Sequence, residues 1–352
     1  MRKGRGPARI AFGRLTLRAV VGLGCAAVLG WMALAIYYSP LQPAWLRAGL
    51  SALVPVGAAV ALLLVRPLRR VLAGILAAFV VVLAAWLGIP PSNERDWQPE
   101  VAVLPYADLH GDRITVHNVR NFAYRSETDF TPAYYEKTFD LRKLDRVDLI
   151  AVYWMGPAVA HVFLSFGFAG GDHLAVSIET RKEKGEGYST IKGFFKQYEL
   201  FYVVADERDV VRLRTNFRNN PPEEVYVYRV HGPIEIGRQL FLDYMRKINA
   251  LKERPEFYNT LTTNCTTTIW MHSRVNPRRV PFSWKILLSG YVPEYLYDVG
   301  RLDTSLPFAD LKARSRINER AKAAGDDPRF SVRIREGLPR MSLEPGRGGA
   351  TQ

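Results

Sequence analysis

Three long apolar runs in the first 90 residues constrain the fold more than any other feature. They cover residues 19–38, 48–65 and 71–89, and none contains Asp, Glu, Lys or Arg. An α-helix needs roughly 20 apolar residues to cross a hydrocarbon core about 30 Å thick. A charge at its centre costs about 2.5–3.5 kcal/mol. The runs therefore predict three transmembrane helices within residues 19–89. The alternative is a cleaved signal peptide followed by buried helices, but the first run is long for a signal peptide.

The distribution of cations predicts the orientation of these helices. Six Lys and Arg residues precede the first run and three lie between the second and third, whereas the loop 39–47 carries only Arg47. By the positive-inside rule, residues 1–18 and the second loop are cytoplasmic. We therefore expect a multi-pass protein of the cytoplasmic membrane with its soluble part outside the cytoplasm, which is the periplasm if the source is a Gram-negative bacterium.

The net charge of +14 belongs partly to this topology signal and partly to the C-terminal end of the chain. Residues 323–352 are rich in Arg, Gly and Pro and show little apolar periodicity, so we expect a basic tail that is disordered or draped on the surface. A basic surface outside the cytoplasm suits anionic lipids or envelope polymers better than nucleic acid. A merely solvated basic face is the open alternative.

Residues 93–322 are predicted to form one α+β domain. The amphipathic period of residues 234–252 indicates a helix, and a second helix is expected at 265–272. Alternation and β-branched content predict seven strands: 113–119, 147–153, 160–168, 173–180, 200–204, 210–214 and 225–230.

The soluble domain contains one cysteine, Cys265, because the other, Cys25, lies in the first apolar run. In an oxidising compartment such a thiol has no disulfide partner within its domain. Asn264 is a favourable N-cap, which would place Cys265 at the first position of a helix. A helix N-terminus favours the thiolate, the nucleophilic form of cysteine. A buried, inert core cysteine is the alternative.

His161 is the candidate base for this thiol. It opens the strand 160–168, which is joined to the strand 173–180 by Ala169-Gly170-Gly171. A three-residue loop sets Phe168 opposite Asp172 and therefore His161 opposite Glu179. The same register leaves one face of the hairpin apolar. A carboxylate beside an imidazole fixes its tautomer and stabilises the imidazolium, as in a catalytic triad. The rival interpretation is a core histidine, with Glu179 paired to Arg181 or Arg208.

Five further residues are candidates for substrate or oxyanion contacts: Asn264, Thr266, Ser165, Arg181 and Tyr188. The six histidines show neither an HExxH helix nor clustered ligand spacing, so no metal site is expected. Phosphate-loop, dinucleotide and G-x-S-x-G motifs are absent, and we expect no cofactor.

Four segments together resemble a known bacterial family, the Lnb-type N-terminal periplasmic domain. They are residues 160–168, 177–183 (SIETRKE), 198–200 and 258–267 (YNTLTTNCTT), and the resemblance extends over about 93–290. It implies a permuted NlpC-type, papain-like thiol fold, with an antiparallel sheet, a nucleophile helix and the histidine preceding the cysteine. It also implies lipoprotein N-acylation, in which the cysteine takes an acyl chain from a phospholipid and passes it to a lipoprotein.

The sequence thus predicts a membrane-anchored acyltransferase or hydrolase with a Cys265, His161 and Glu179 triad. A peptidoglycan or peptide amidase on the same residues is the second hypothesis. A non-catalytic envelope scaffold is the third. The acyl donor, the acceptor and the oligomeric state are left open by the sequence.

Overall fold

The computed structural model describes residues 7–277 and 279–339. The chain divides into two compact units. One comprises the residues up to Pro91 together with Ile191–Gln197, and the other comprises Ser92–Thr190 and the residues from Tyr198 onward.

The first unit contains three apolar helices, α1 (Pro7–Tyr37), α2 (Ala44–Leu64) and α3 (Leu68–Leu87). The stretches Ala19–Tyr37, Ala44–Leu64 and Leu68–Leu87 are long and apolar enough to cross a membrane. At most 11% of each stretch is buried inside the protein, as expected of helices that face lipid. The prediction of three membrane helices is confirmed. The second begins at Ala44, earlier than expected, so that Arg47 lies in its first turn and donates from Nη1 to the Ser39 carbonyl at 3.2 Å.

The second unit is a mixed α+β domain. Its helices are α4 (Glu207–Arg212), α5 (Ile234–Glu253), α6 (Cys265–His272), α7 (Trp284–Leu287), α8 (Val292–Asp298), α9 (Phe308–Ser315), α10 (Asn318–Ala324) and α11 (Phe330–Arg333). Its strands are β1 (Tyr106–His110), β2 (Arg113–Arg120), β3 (Ala123–Tyr124), β4 (Phe130–Thr131), β5 (Tyr134–Asp140), β6 (Leu144–Tyr153), β7 (Ala160–Phe168), β8 (His173–Arg181), β9 (Glu199–Ala205) and β10 (Glu224–Arg229).

Eight strands form one sheet in the order β1-β2-β9-β8-β7-β6-β10, with β5 paired to β2. All pairs are antiparallel except β2 with β9, which are parallel and meet at Arg120 and Ala205. The central strands alternate between two cores. On β7, Val162, Leu164 and Phe166 face one core and Phe163 faces the other.

Helices cover both faces of the sheet. On the first face, α5 packs its buried stripe (Phe241, Tyr244, Met245, Ile248 and Leu251) against the strands. On the second face the cover comes from α4, α10 and α11. Both faces of the sheet are therefore buried.

The predicted strand 210–214 is wrong. These residues form the end of α4 and a following π-helical turn, Leu213–Phe217. The Asp206 carboxylate accepts a hydrogen bond from the Arg208 N–H and caps the helix. The alternation of apolar and charged residues predicts a strand here, but the Asp206 cap favours the helix that the structure contains.

The structure also differs from the expected disordered or surface-draped tail. Residues 323–339 pack against the domain, and residues 340–352 lie outside the described residues. Phe330 and Ile334 are fully buried in the second core. Arg335 binds Asp148 (Nε–Oδ2, 2.8 Å) and Glu207 (Nη2–Oε1, 2.6 Å), both themselves buried. The arginine-rich composition predicts a solvated segment, but the Arg335 guanidinium neutralises the buried carboxylates of Asp148 and Glu207.

Candidate active site

The β7–β8 hairpin has the predicted register. Leu164 lies opposite Val176, and Phe166 lies opposite Leu174. The loop closes through the Phe168 N–H, which donates to the Asp172 carbonyl at 2.8 Å, and Gly170 and Gly171 both take positive φ. Beyond the Leu164–Val176 pair, β7 continues against β6 and β8 continues against β9. The hairpin therefore opens where His161 and Glu179 lie.

The helix α6 begins at Cys265, as predicted. The Asn264 side chain accepts from the Thr267 N–H at 2.8 Å, which is the N-cap bond, and its Nδ2 donates to the Thr260 carbonyl at 2.8 Å. The helix packs on β7 and β8. The Cys265 thiol, which is partly buried, hydrogen-bonds with the His161 imidazole and with the backbone of Val162.

His161 and Glu179 are in contact. The distance from His161 Nε2 to Glu179 Oε1 is 3.1 Å. Ser177 lies between them: its Oγ is 2.6 Å from His161 Nε2 and donates to Glu179 Oε1 at 2.8 Å. His161 Nε2 is thus the ring nitrogen that contacts Ser177 and Glu179. Cysteine, imidazole and carboxylate thus form one connected chain.

The charges of this chain favour a thiolate–imidazolium pair. Burial acts to lower the pKa of His161, but the Glu179 carboxylate and the bonds to Cys265 and Glu179 outweigh it and raise that pKa to about 9. Burial acts to raise the pKa of Cys265, but the hydrogen bond and positive charge of His161 lower it below its usual range. Burial likewise opposes ionisation of Glu179, whose pKa is held well below normal by His161, Arg214 and Ser177.

Arg214 is a member of the site that sequence reasoning missed. It lies in the π-helical turn Leu213–Phe217, and its Nη2 is 3.2 Å from Glu179 Oε1. Its Nη1 is 3.4 Å from Glu223 Oε2, and Arg218 binds the same carboxylate at 3.1 Å. The guanidinium therefore contacts the same Glu179 oxygen as His161. No sequence signal identified it, because the segment was interpreted as a strand.

Tyr258 is a second residue that the prediction omitted. It is buried in the same core against which Cys265 packs. Burial first, and then the neighbouring Cys265, raises the pKa of its phenol. It also hydrogen-bonds with Tyr188, which is exposed and stacks with Tyr198 at 6.3 Å between ring centroids. Tyr258 is the first residue of the segment 258–267 that resembles the family, and this position is the sequence signal that could have identified it.

The remaining candidates lie in structural positions. Arg181 is 2% exposed and donates from its Nε to the Val101 carbonyl and from its Nη1 to Asn93 Oδ1, both at 2.9 Å. Thr266 is buried and donates to the Ile286 carbonyl at 2.6 Å. Ser165 is buried and donates to Glu207 Oε1 at 2.5 Å, in the Arg335 network. The structure brings Cys265, His161, Glu179, Asn264 and Tyr188 together in one region. Arg181 and Ser165 lie elsewhere, whereas Thr266 follows Cys265 in the first turn of α6 with its hydroxyl bonded to the Ile286 carbonyl.

An apolar cavity of about 170 Å³ lies beside the nucleophile helix. Thr266, Ile269 and Trp270 of α6 line one side of it. Sheet residues and α5 line the rest, among them Val147, Leu149, Leu164, Ile234 and Leu240. Cys265, His161 and Glu179 are not lining residues, so the cavity lies next to the thiol rather than over it. Within residues 7–277 and 279–339, no group of three or more His, Cys, Asp or Glu side chains is placed to hold a metal ion.

Residues 130–290 match the family model described as the Lnb N-terminal periplasmic domain. This segment of the chain is similar to that family of domains. The matched segment begins later than the resemblance over 93–290 suggested, and it includes His161, Glu179 and Cys265. Together with the three apolar helices, the match identifies a membrane protein with a periplasmic domain. No curated protein and no solved structure gives a significant match.

Proposed function

We propose that the protein is a membrane-anchored, cysteine-dependent acyltransferase or hydrolase that acts on lipidated or envelope substrates in the periplasm. The observation that carries this proposal is the connected chain Cys265–His161–Glu179, with the thiol at a helix N-terminus. A buried structural histidine needs neither a hydrogen bond to a thiol nor an ionised carboxylate beside it. This combination is what nucleophilic catalysis by cysteine requires.

In the proposed reaction the Cys265 thiolate attacks the carbonyl carbon of an acyl ester. An S–C bond forms, the ester C–O bond breaks, and the leaving alkoxide takes a proton from the His161 imidazolium. An amine of the acceptor, or water in the hydrolase, then attacks the thioester. His161 accepts the proton of that nucleophile, the C–S bond breaks and the thiolate returns. Backbone N–H groups at the start of α6 are suited to stabilise the oxyanion.

The apolar cavity beside α6 favours acyl transfer over peptide cleavage. Most of its exposed wall is apolar, which suits a hydrocarbon chain, although charged residues such as Arg229, Arg279 and Arg301 also line it. The order of His161, Glu179 and Cys265 along the chain, with α6 packed on β7 and β8, supports a permuted papain-like fold of the NlpC type.

The proposed organisation starts with a cytoplasmic segment 1–18 and three membrane helices within 19–89. The periplasmic domain starts near residue 93. Its C-terminal boundary lies at residue 339 or later rather than at 322, because Phe330 and Ile334 are part of its second core and Arg335 forms a buried ion pair with Glu207. The three cationic residues between α2 and α3, against Arg47 alone in the other loop, support a cytoplasmic N-terminus.

The test is to label cells that express the full chain with an alkyne fatty acid and to detect a hydroxylamine-sensitive thioester on the protein. We expect label on the unaltered chain and on Cys25→Ser, and none on Cys265→Ala, which should fold normally because the thiol is only partly buried. Label that persists in Cys265→Ala would overturn the mechanism. A reactive Cys265 without any acyl label would select the amidase, and a thiol inert to alkylating reagents would select the non-catalytic scaffold.

A further inference from the structure

The segment Ile191–Gln197 is more than 100 residues away from α3 in sequence but belongs to the same compact unit as the membrane helices. Lys196 Nζ donates to the carbonyls of Trp86 (2.9 Å), Ile89 (3.2 Å) and Leu87 (3.3 Å), and it lies 4.6 Å from the centroid of the Trp86 ring. A cation at the carbonyl end of a helix is favoured by the helix dipole and by the free carbonyl groups. Lys196 therefore caps α3.

A second anchor joins the same segment to the end of α1. Gln197 Nε2 donates to the Tyr38 carbonyl at 2.7 Å. The Phe195 ring stacks on the Tyr38 ring at 5.5 Å between centroids and 24° between planes. Lys196 itself has φ of +57°, a left-handed conformation uncommon for a residue with a side chain. The backbone is thus held in a specific shape against the C-terminal ends of two helices.

These helix ends mark the periplasmic boundary of the membrane. At 1.5 Å per residue, the 20 residues of α3 span about 30 Å, the thickness of a hydrocarbon core. The chain passes from α3 directly into the periplasmic domain. Tyr37, Tyr38 and Trp86 at these ends are the residue types that concentrate at membrane interfaces. The segment bonded to them lies at the level of the lipid headgroups.

Two large apolar side chains of the segment are exposed. The backbone makes a short 3-10 turn, Lys192–Phe194, in which the Phe194 N–H donates to the Ile191 carbonyl at 3.0 Å. Ile191 is 52% exposed and Phe194 is 38% exposed, whereas Phe195, which stacks on Tyr38, is 5% exposed. The turn therefore buries one aromatic residue against the helices and presents two apolar side chains outward.

We propose that Ile191 and Phe194 insert into the outer leaflet of the cytoplasmic membrane, so that this segment is an interfacial membrane contact. The partner is the phospholipid bilayer, because the segment is continuous with helices whose own surface faces lipid. Burial of both side chains among acyl chains removes apolar area from water and adds to the anchoring by the helices. The inference concerns membrane contact and does not depend on the proposed catalytic activity.

The test uses the full chain in phospholipid nanodiscs, with Cys25→Ser and Cys265→Ser as the background. A nitroxide is attached to Phe194→Cys, and its collision rates with oxygen and with a water-soluble nickel chelate are measured by power saturation. Val332→Cys is the matched control, an apolar residue that is 46% exposed on α11. We expect a several-fold higher ratio of oxygen to nickel accessibility at position 194 than at position 332.

Ile191→Cys provides a second, independent position and should give the same result as Phe194→Cys. Because both side chains are exposed, the label does not disturb a core. Equal ratios at positions 191, 194 and 332 would place the segment in water and overturn the proposal. A high ratio in nanodiscs that falls to that of position 332 in a lipid-free amphipathic polymer would identify lipid, rather than protein, as the contact.

Discussion

Glu179→Gln should dismantle the thiolate–imidazolium pair without changing the shape of the site. Glu179 is the strongest influence that raises the pKa of His161 to about 9, against burial and the charge of Arg214, which both lower it. At pH 7.5 a pKa of about 9 leaves roughly 97% of the imidazole protonated, whereas the ordinary value of 6.5 leaves roughly 9%. The variant is therefore expected to lose about 90% of the imidazolium.

The consequence is measurable on the thiol. The imidazolium lowers the pKa of Cys265, so its loss shifts the equilibrium from thiolate towards thiol. In a Cys25→Ser background, thiolate absorbance and the rate of iodoacetamide alkylation are followed against pH. The thiol of the unaltered site should ionise at a lower pH than an ordinary cysteine, and its imidazolium should be lost as the pH rises through about 9. In Glu179→Gln the thiolate signal at pH 7.5 should fall several-fold.

Glu183→Gln is the matched control. Glu183 follows the same strand, is 40% exposed in its side chain and pairs with Arg95 instead of His161. It should reproduce the unaltered profile. An unchanged thiolate signal in Glu179→Gln would show that Glu179 does not stabilise the thiolate–imidazolium pair of Cys265 and His161. His161 would then be interpreted as a core histidine.

Two further predictions concern stability, both measured by urea unfolding of the full chain in detergent. Arg335→Leu leaves buried Glu207 without its cation and should cost about 3–5 kcal/mol, the range for breaking a buried pair. Gly290→Ala should cost about 1–3 kcal/mol and alter the alkylation rate of the thiol, because a β-carbon there would lie 2.1 Å from the Pro157 carbonyl oxygen, just before β7.

Each stability prediction has a control of the same chemistry. Arg333→Leu breaks the half-exposed pair with Asp327 and should cost at most about 1 kcal/mol. Gly187→Ala adds a β-carbon with no atom within 4 Å and should be nearly neutral. An Arg335→Leu cost no larger than that of Arg333→Leu would show that the C-terminal segment is not part of the folded domain. Normal stability in Gly290→Ala would show that the preceding loop can move freely.

The sequence by itself determined the parts of this protein that depend on local chemistry. The apolar runs predicted the membrane helices because a bilayer accepts no alternative for such segments. The three-residue loop and the alternating pattern set the β7–β8 register, and with it the contact between His161 and Glu179, since a slip of one residue exchanges the two faces. Asn264 predicted the start of α6 because a cap acts within one turn.

The tertiary structure alone decided what depends on contacts distant in sequence. Arg214 reaches Glu179 from a turn whose alternating pattern suggested a strand. Arg181 was drawn into the packing beside Asn93, and Arg335 into two buried ion pairs, although arginine is usually a surface residue. The segment from Ile191 lies with the membrane helices because Lys196 caps α3 and Gln197 bonds to the Tyr38 carbonyl. Local composition predicts how a segment behaves in water. The residues that these side chains contact are distant in sequence, so no local pattern predicts the buried environment that they form.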